Sequence, residues 1–128
     1  MKPIRAVETD QAPKAIGPYS QAVAAGPFLF LSGQVPIDPK TGKIIEGDIQ
    51  EQTHRVIDNI LAVLQAEGLN LQHVVRTEIY LRDLNDFAEM NAAYAERFTQ
   101  AVKPARHAFQ VAKLPLDARI EITCIALS

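Results

Sequence analysis

The sequence predicts an α+β fold, in which a mixed six-stranded sheet carries two helices on one face in the order βββαβαββ. Two observations predict it. Apolar residues recur at helical spacing in two stretches, 49–64 and 87–98, and shorter apolar or alternating stretches lie between glycine and proline residues, as strands do. The 128 residues are predicted to form one domain, 1–128, which is long enough to bury a core.

Three strands are predicted before the first helix. Ile4–Glu8 fits a short strand, and the proline and glycine residues of 13–18 indicate a loop after it. Residues 20–34, SQAVAAGPFLFLSGQ, predict two strands that turn at Gly26-Pro27. The aspartate, proline and glycine of 37–45 predict a turn.

The first helix is the clearest element. Asp48 and Glu51 have the spacing of a capping box with aspartate as the cap, and Gly68 is a typical C-terminal stop. The predicted buried stripe consists of Ile49, Val56, Ile57, Ile60, Val63 and Leu64.

The next strand, 74–83, alternates between two faces. These faces are predicted to be Val75, Thr77, Ile79 and Leu81 on one side, and Arg76, Glu78, Tyr80 and Arg82 on the other. A second helix over 85–98 is predicted to place Phe87, Met90, Tyr94 and Phe98 on one face. The last two strands lie within 103–127, separated by a turn at 114–117, LPLD.

Several predicted strands are apolar on both faces, whereas two helices cover only one face of a sheet. Phe28 and Phe30 point away from Leu29 and Leu31. On the last strand, Ile120, Ile122 and Cys124 oppose Glu121, Thr123, Ile125 and Leu127. The second sheet face is therefore predicted to pack against copies of the chain in a closed homo-oligomer. The alternative is that loops and the N-terminal segment cover it within one chain.

Charge and composition argue against several classes of partner. A net charge of -2 and a pI near 5.9 do not favour nucleic acid or an anionic membrane. The N-terminus lacks the apolar region of a secretory signal, and no apolar run approaches the roughly 20 residues of a membrane span. Cys124 is the sole cysteine, which fits a reducing compartment. We expect a soluble cytoplasmic protein.

Motifs for phosphate or metal binding are missing from the sequence. It contains no glycine-rich phosphate loop, no CxxC and no HExxH, and His54, His73 and His107 have no ligand spacing. Ser32 lacks the GxSxG setting of a serine hydrolase, and Cys124 is predicted to be a packing residue. No metal site is predicted.

Two charged residues in the last strands are candidates for chemistry. Arg106 follows Pro104-Ala105 at a strand start, where its planar fork could bind a small carboxylate; alternatively it is a surface residue on an edge strand. Glu121 could act as a general base toward water, or it could pair with an arginine on the sheet face.

Weaker candidates flank these two. Gly33 could offer a backbone N–H where a side chain would block approach, or it could simply end a strand. Tyr19, after Gly17-Pro18, and Asn91, beside the apolar stripe of the second helix, are weaker candidates still: Tyr19 could be an ordinary loop aromatic and Asn91 an ordinary exposed helix residue.

Taken in order, five segments resemble the RidA/YjgF family of reactive-imine deaminases, whose older names are translation-initiation inhibitor and L-PSP endoribonuclease. These segments are APKAIGPYSQAV, LSGQVPIDPKTGK, EGDIQEQT, DLNDFAEMNAAY and PARHAFQVAKLPLDARIEI. The resemblance covers nearly the whole chain. It implies a chorismate-mutase-like fold, assembled as a homotrimer with three clefts between subunits. It also implies hydrolysis of 2-iminobutanoate and 2-iminopropanoate, which pyridoxal-phosphate-dependent dehydratases release, to 2-keto acids and ammonia without a cofactor.

The resemblance also assigns residues. It implies that Arg106 binds the substrate carboxylate and that Glu121 handles the attacking water. The other substrate-binding positions fall on Tyr19, Ser32, Gly33, Asn91 and Ala108. Ala108 stands where many bacterial members have a cysteine, and the resemblance implies that its main chain is used.

Two alternative functions remain open at this point. An endoribonuclease or translation inhibitor should carry a basic track and histidine or lysine pairs near stacking aromatics, whereas this chain has scattered cations and no tryptophan. A non-catalytic sensor of 2-keto or 2-imino acids would use the same cleft. Both the sensor and the enzyme need Arg106, and only Glu121 favours catalysis.

Overall fold

The computed structural model describes residues 3–128. Its strands are β1 (Arg5–Val7), β2 (Ala22–Ala25), β3 (Phe28–Leu31), β4 (Ile37–Asp38), β5 (Lys43–Ile44), β6 (Val74–Leu81), β7 (Ala105–Gln110) and β8 (Ile120–Leu127). Its helices are α1 (Ile49–Gln65) and α2 (Phe87–Arg97). Short 3-10 turns occupy Leu71–His73, Leu84–Asp86 and Pro115–Asp117.

Six strands form one mixed sheet in the order β1-β2-β3-β8-β6-β7. All neighbours are antiparallel except β6 and β7, which are parallel because α2 crosses over between them. The buried core lies between this sheet and the two helices. The predicted α+β architecture, with a mixed six-stranded sheet and two helices on one face, is confirmed.

Helix α1 begins and ends as the sequence predicts. The Glu51 amide donates to Asp48 Oδ1 at 2.8 Å, and the Asp48 amide donates to Glu51 Oε1 at 3.2 Å, which completes the capping box. Every residue of the predicted stripe is buried. After the helix, Gly68 has φ +72°, and the Leu69 amide donates to the Leu64 carbonyl oxygen at 3.0 Å.

Helix α2 is shorter than predicted because a 3-10 turn precedes Phe87. Met90, Tyr94 and Phe98 are buried, whereas Phe87 is half-buried. The rings of Tyr94 and Phe98 stack with their centroids 4.4 Å apart. The predicted face is therefore the buried one, with Phe87 at its margin.

Three local predictions need correction. Val75 was placed on the face of Thr77 and Ile79, but it is exposed because a register shift between Val74 and Arg76 turns Val74 inward instead. The first strand covers Arg5–Val7 only. The predicted turn at 37–45 also contains a small hairpin, β4–β5, closed by the Thr41 and Gly42 amides donating to the Asp38 carbonyl oxygen.

The face of the sheet opposite the helices, here called the open face, remains accessible. It carries Phe28, Phe30, Phe109, Ile125 and Leu127 around a polar cluster of Arg76, Glu78, Tyr80 and His107. Phe28, Phe30, Phe109 and Leu127 are 40–54% exposed in the single chain, so the loops within residues 3–128 leave these side chains accessible. Neither helix within residues 3–128 has the length and apolar character to cross a membrane.

The single cysteine lies on the helix-covered side. Cys124 is 2% exposed, and burial raises the pKa of its thiol to about 12. The prediction that Cys124 packs within its strand is confirmed.

Candidate active site

Arg106 lies on β7, on the face that meets α2. It is in register with Thr77 of β6, a fully buried residue of the helix-covered face. The guanidinium carbon lies 4.8 Å from the ring centroid of Tyr94 and 5.6 Å from that of Phe87. Its Nη1 donates to Asn91 Oδ1 at 2.7 Å. Three side chains of one helix face therefore hold one planar cation.

This arrangement fixes the guanidinium while leaving it able to bind a ligand. The side chain is exposed, and among the described residues it has no acidic partner. An arginine has five N–H donors in a rigid fork, and only one of them serves Asn91 here. The remaining donors can form two parallel hydrogen bonds with a carboxylate.

A cavity of about 450 Å³ opens beside Arg106. Its lining residues are Tyr94, Ala95, Phe98, Lys103, Pro104 and Arg106. Ala108 lies two residues further along β7 and packs against the core. Its side chain is thus directed inward, which leaves its main chain for any contact at the strand edge.

Glu121 lies on the open face. It is in register with Tyr80 of β6, and its neighbours Ile120 and Ile122 point into the core instead. Burial raises the pKa of the Glu121 carboxyl. Within residues 3–128 no hydrogen bond reaches this carboxylate, and Arg76, the arginine of the open face, bonds to Glu78 instead at 3.3 Å. The alternative of Glu121 as the partner of a sheet-face arginine is not supported.

Gly33 lies directly against the Glu121 side chain. A Cβ atom at Gly33 would be 2.8 Å from Glu121 Cδ, closer than Cβ atoms approach other atoms, and 3.1 Å from its Cγ, tighter than most Cβ contacts. A residue larger than glycine would displace the carboxylate. The glycine is therefore needed for this close approach and does more than end β3.

The Ser32–Gly33 segment bulges away from β8. Phe30 and Gln34 are four positions apart along the chain, but their partners Ile125 and Ile122 on β8 are only three positions apart. Gln34 and Ile122 exchange two backbone hydrogen bonds, at 2.8 and 3.0 Å. This anchor brings Gly33 back toward β8 beside Glu121.

Ser32 is bound to the loop that carries Tyr19. Its hydroxyl donates to the Ser20 carbonyl oxygen at 2.6 Å, and its amide donates to the Gln21 carbonyl oxygen at 3.0 Å. Tyr19 is exposed, and its hydroxyl accepts from the Ile16 amide at 3.3 Å. A second cavity, of about 480 Å³, is lined by Glu8, Thr9, Asp10, Lys14, Ala15, Tyr19, Ser20 and Gln21.

The predicted site residues therefore form two groups, which the sheet separates. Arg106, Asn91 and Ala108 form the arginine group, on the helix side of the edge strand β7. Glu121, Gly33, Ser32 and Tyr19 form the glutamate group, beside the open face. Because the side chains of Arg106 and Glu121 leave the sheet on opposite faces, one chain does not bring these two charges together.

Comparison with known proteins places the chain in a family. The sequence model of the family described as Endoribonuclease L-PSP matches residues 9–128. The chain belongs to the RidA/YjgF family. A RutC family protein of Pyrococcus horikoshii is 57% identical over 118 residues, covering 92% of this chain and 93% of that protein. A 2-iminobutanoate/2-iminopropanoate deaminase of Salmonella typhimurium is 44% identical over 125 residues, covering 96% and 97%.

A solved structure agrees with the sequence comparisons. The Rid family protein YyfA of Yersinia pestis superposes with a TM-score of 0.95 at 41% identity, covering 98% of this chain and all of that one. The RidA/YjgF family that the motifs indicated is thus confirmed, together with its α+β fold.

Sequence reasoning missed the residues that support the candidate site of this RidA/YjgF chain. Phe87 and Tyr94 were predicted only as core residues, yet they also contact the Arg106 guanidinium. Their spacing with Asn91 along one helix was a usable signal, because residues i, i+4 and i+7 share a face. Gln21 and Gln34 carried no such signal, since their roles depend on contacts with distant segments.

Proposed function

We propose that this chain is a 2-iminobutanoate/2-iminopropanoate deaminase. It hydrolyses the C=N bond of small 2-imino acids, and of their enamine tautomers, to 2-keto acids and ammonia. The observation that carries the proposal is that two charged side chains, Arg106 and Glu121, lie without an ionic partner in the part of the chain that the structure describes. The Arg106 fork is held by Asn91 and two rings without an acidic partner, and Glu121 has a raised pKa and no hydrogen-bond partner among the described residues. The name of the Salmonella typhimurium relative supports it.

The chemistry needs two functions, which these residues match. Arg106 binds the substrate carboxylate through two charge-assisted hydrogen bonds and so fixes the adjacent imine carbon. Glu121 accepts a proton from water while the water oxygen attacks that carbon and the C=N electron pair moves to nitrogen. Glu121 then passes this proton to nitrogen, which gives a carbinolamine. Transfer of the hydroxyl proton to nitrogen lets the C=O bond form while the C–N bond breaks, and ammonia leaves.

We also propose that two copies complete each site. The arginine group of one subunit would face the glutamate group of its neighbour in a cleft of a homotrimer. The separation of the two groups by the sheet supports this assembly, as do the accessible aromatic residues of the open face. Closed homo-oligomers are a common way to bury such a surface.

The endoribonuclease of the family description fits this chain less well. Ribonuclease chemistry needs cationic or histidine groups that converge on a phosphate. Here His54 contacts Arg97 on α2, His73 caps its own turn, and His107 belongs to the polar cluster of the open face. These three histidines lie on separate elements, so we propose imine hydrolysis as the main activity.

The test follows the loss of an imine. A threonine dehydratase generates 2-iminobutanoate, and semicarbazide traps what survives at set times. We expect the wild-type chain to accelerate the loss, and Arg106→Ala to lower kcat/KM by at least about a hundredfold, because each lost charge-assisted bond contributes about 1.5–3 kcal/mol. Arg106→Lys should also be impaired, since an ammonium group lacks the fork.

Arg5→Ala is the matched control, because Arg5 lies on the distant strand β1 and forms an ion pair with Glu67, in the turn that follows α1. It should leave the rate unchanged. An Arg106→Ala variant as active as wild type would exclude the carboxylate role. If wild type does not accelerate imine loss but binds 2-oxobutanoate through Arg106, the chain is a sensor of 2-keto acids.

A further inference from the structure

Gln21 is a buried polar residue at the point where the N-terminal loop leaves the sheet. It is 4% exposed. Its Oε1 accepts from the Thr9 amide at 2.8 Å, and its Nε2 donates to the carbonyl oxygens of Thr9 at 3.0 Å and Pro13 at 2.8 Å. The donor and acceptor capacity of this side chain is thus used within the loop.

These bonds replace a missing piece of the sheet. The β1–β2 ladder ends at the pair Val7 and Ala22, after which the two chains separate. The amide side chain of Gln21 accepts a hydrogen bond from the backbone N–H of Thr9 and donates one to its C=O, as a neighbouring strand would. Buried backbone groups need such partners, and leaving them unpaired costs about 1–3 kcal/mol each. Gln21 therefore holds the loop of residues 9–13 against the start of β2.

The main chain of the same residue is bound to the candidate site. The Gln21 carbonyl oxygen accepts from the Ser32 amide at 3.0 Å, and Ser32 in turn precedes Gly33, which lies against Glu121. Tyr19 lies two residues before Gln21. The loop, Tyr19 and the Ser32–Gly33 segment are thus joined at one buried amide.

We propose that Gln21 is a positioning residue for imine hydrolysis, which holds Tyr19 and the Ser32–Gly33 segment in place beside Glu121. This inference rests on the proposed function. Gln21 acts through its neighbours: its side-chain bonds fix the loop, and the loop fixes the residues that orient the substrate and shield the Glu121 carboxylate from water.

The test compares two substitutions with a matched control. Gln21→Met keeps the length of the side chain and removes its polar atoms, whereas Gln21→Glu keeps its shape and removes the N–H donors. Gln11→Met is the control, because Gln11 is exposed in the same loop and its one side-chain hydrogen bond to a described residue is to Asp10. We expect kcat/KM for 2-iminobutanoate to fall about tenfold in both Gln21 variants, since small misplacements of reacting groups are costly. The Gln11 variant should match wild type.

The pH profile separates positioning from a loss of folded protein. A general base must be deprotonated, and burial raises the pKa of Glu121. The acid limb of the kcat/KM profile should therefore lie at a higher pH than it would for a glutamate with an ordinary pKa. If the Ser32–Gly33 segment loosens, water reaches Glu121 and the limb moves to lower pH. The other charged or titratable groups of the open face's polar cluster are Arg76, Glu78 and Tyr80 of β6 and His107 of β7, and none of them is changed. A smaller folded fraction lowers the rate without moving the limb.

Hydrogen exchange measured by mass spectrometry completes the test. Peptides covering 9–21 and 32–34 should exchange faster in the Gln21 variants, whereas α1 peptides should not. Unchanged exchange, or faster exchange with an unchanged rate and pH limb, overturns the inference. So does failure of both Gln21 variants to fold, because the residue would then serve the fold alone. An inactive wild-type chain overturns the proposed function itself, whereas active Gln21 variants overturn this inference only.

Discussion

The two faces of the sheet are built differently. On the helix-covered face, the chain buries its own apolar residues completely, as Ile60 of α1 and Ile79 of β6 illustrate. On the open face, Phe28, Phe30 and Phe109 stay half exposed around a cluster of charges. The covered face supplies the stability of one chain, whereas the open face leaves apolar side chains accessible, and we propose that a second copy covers them. Each of the two proposed catalytic charges lies on a different face.

The largest expected effect concerns the stability of the covered face. Ile60→Ala should lower the free energy of unfolding by about 2–5 kcal/mol, because it removes buried methyl groups and leaves a cavity. Phe30→Ala on the open face should lower the unfolding free energy of a single subunit by less than about 1.5 kcal/mol and should instead weaken assembly. Chemical denaturation measures the first quantity and sedimentation the second. Equal losses of subunit stability would contradict the distinction between the faces.

A second effect concerns the close approach at Gly33. Gly33→Ala should lower kcat/KM about tenfold, because the added Cβ displaces the Glu121 carboxylate. In a Glu121→Gln background the same substitution should have little further effect, since the group that it displaces no longer acts as a base. Full additivity of the two substitutions would show that Gly33 acts elsewhere.

A third, smaller effect is on stability as a function of pH. Burial raises the pKa of Glu121 in the folded chain, so the folded state binds a proton more readily than the unfolded state. Stability therefore falls as the pH rises from the unfolded pKa through the folded pKa. Glu121→Gln removes this loss, so its Tm should exceed that of wild type at pH 7, with a smaller difference at pH 4. A lower Tm at pH 7 would contradict the assignment.

The smallest expected effect concerns the contact between the Phe87 ring and the Arg106 guanidinium. Phe87→Leu removes one of the two rings beneath Arg106 and should lower kcat/KM about two- to fivefold, as expected for an exposed cation–π contact of about 0.5–1 kcal/mol. Phe87→Tyr keeps a ring and should remain close to wild type. Identical rates for Leu and Tyr would mean that the ring does not orient the guanidinium.

Local signals account for the parts of the fold that the sequence predicted. The cap at Asp48 and the stripe of α1 depend on residues three to four apart, so they could be read directly. Alternation on β8 also separated Glu121 from the core residues Ile120 and Ile122. Val75 was misplaced because the bulge that exposes it arises from pairing with β8, a partner distant in sequence.

The candidate site was predictable in composition but not in arrangement. Motifs indicated Arg106 and Glu121, and their roles stay predictions. The face that Arg106 occupies is set by its parallel register with Thr77, which no local pattern in β7 reveals. The hydrogen bonds of Gln21 to Thr9 and Pro13 depend equally on how the loop folds back.

The position of Cys124 has a consequence for the chemistry that the chain tolerates. Thiolates react with alkylating agents and peroxides, whereas protonated, buried thiols are inert. Cys124 is enclosed beneath the helices with a pKa of about 12, and Ala108 offers no sulfur at the edge of β7. With its one thiol enclosed in this way, the chain offers no accessible cysteine to oxidants or disulfides, so we expect the proposed activity not to depend on the thiol balance of its surroundings.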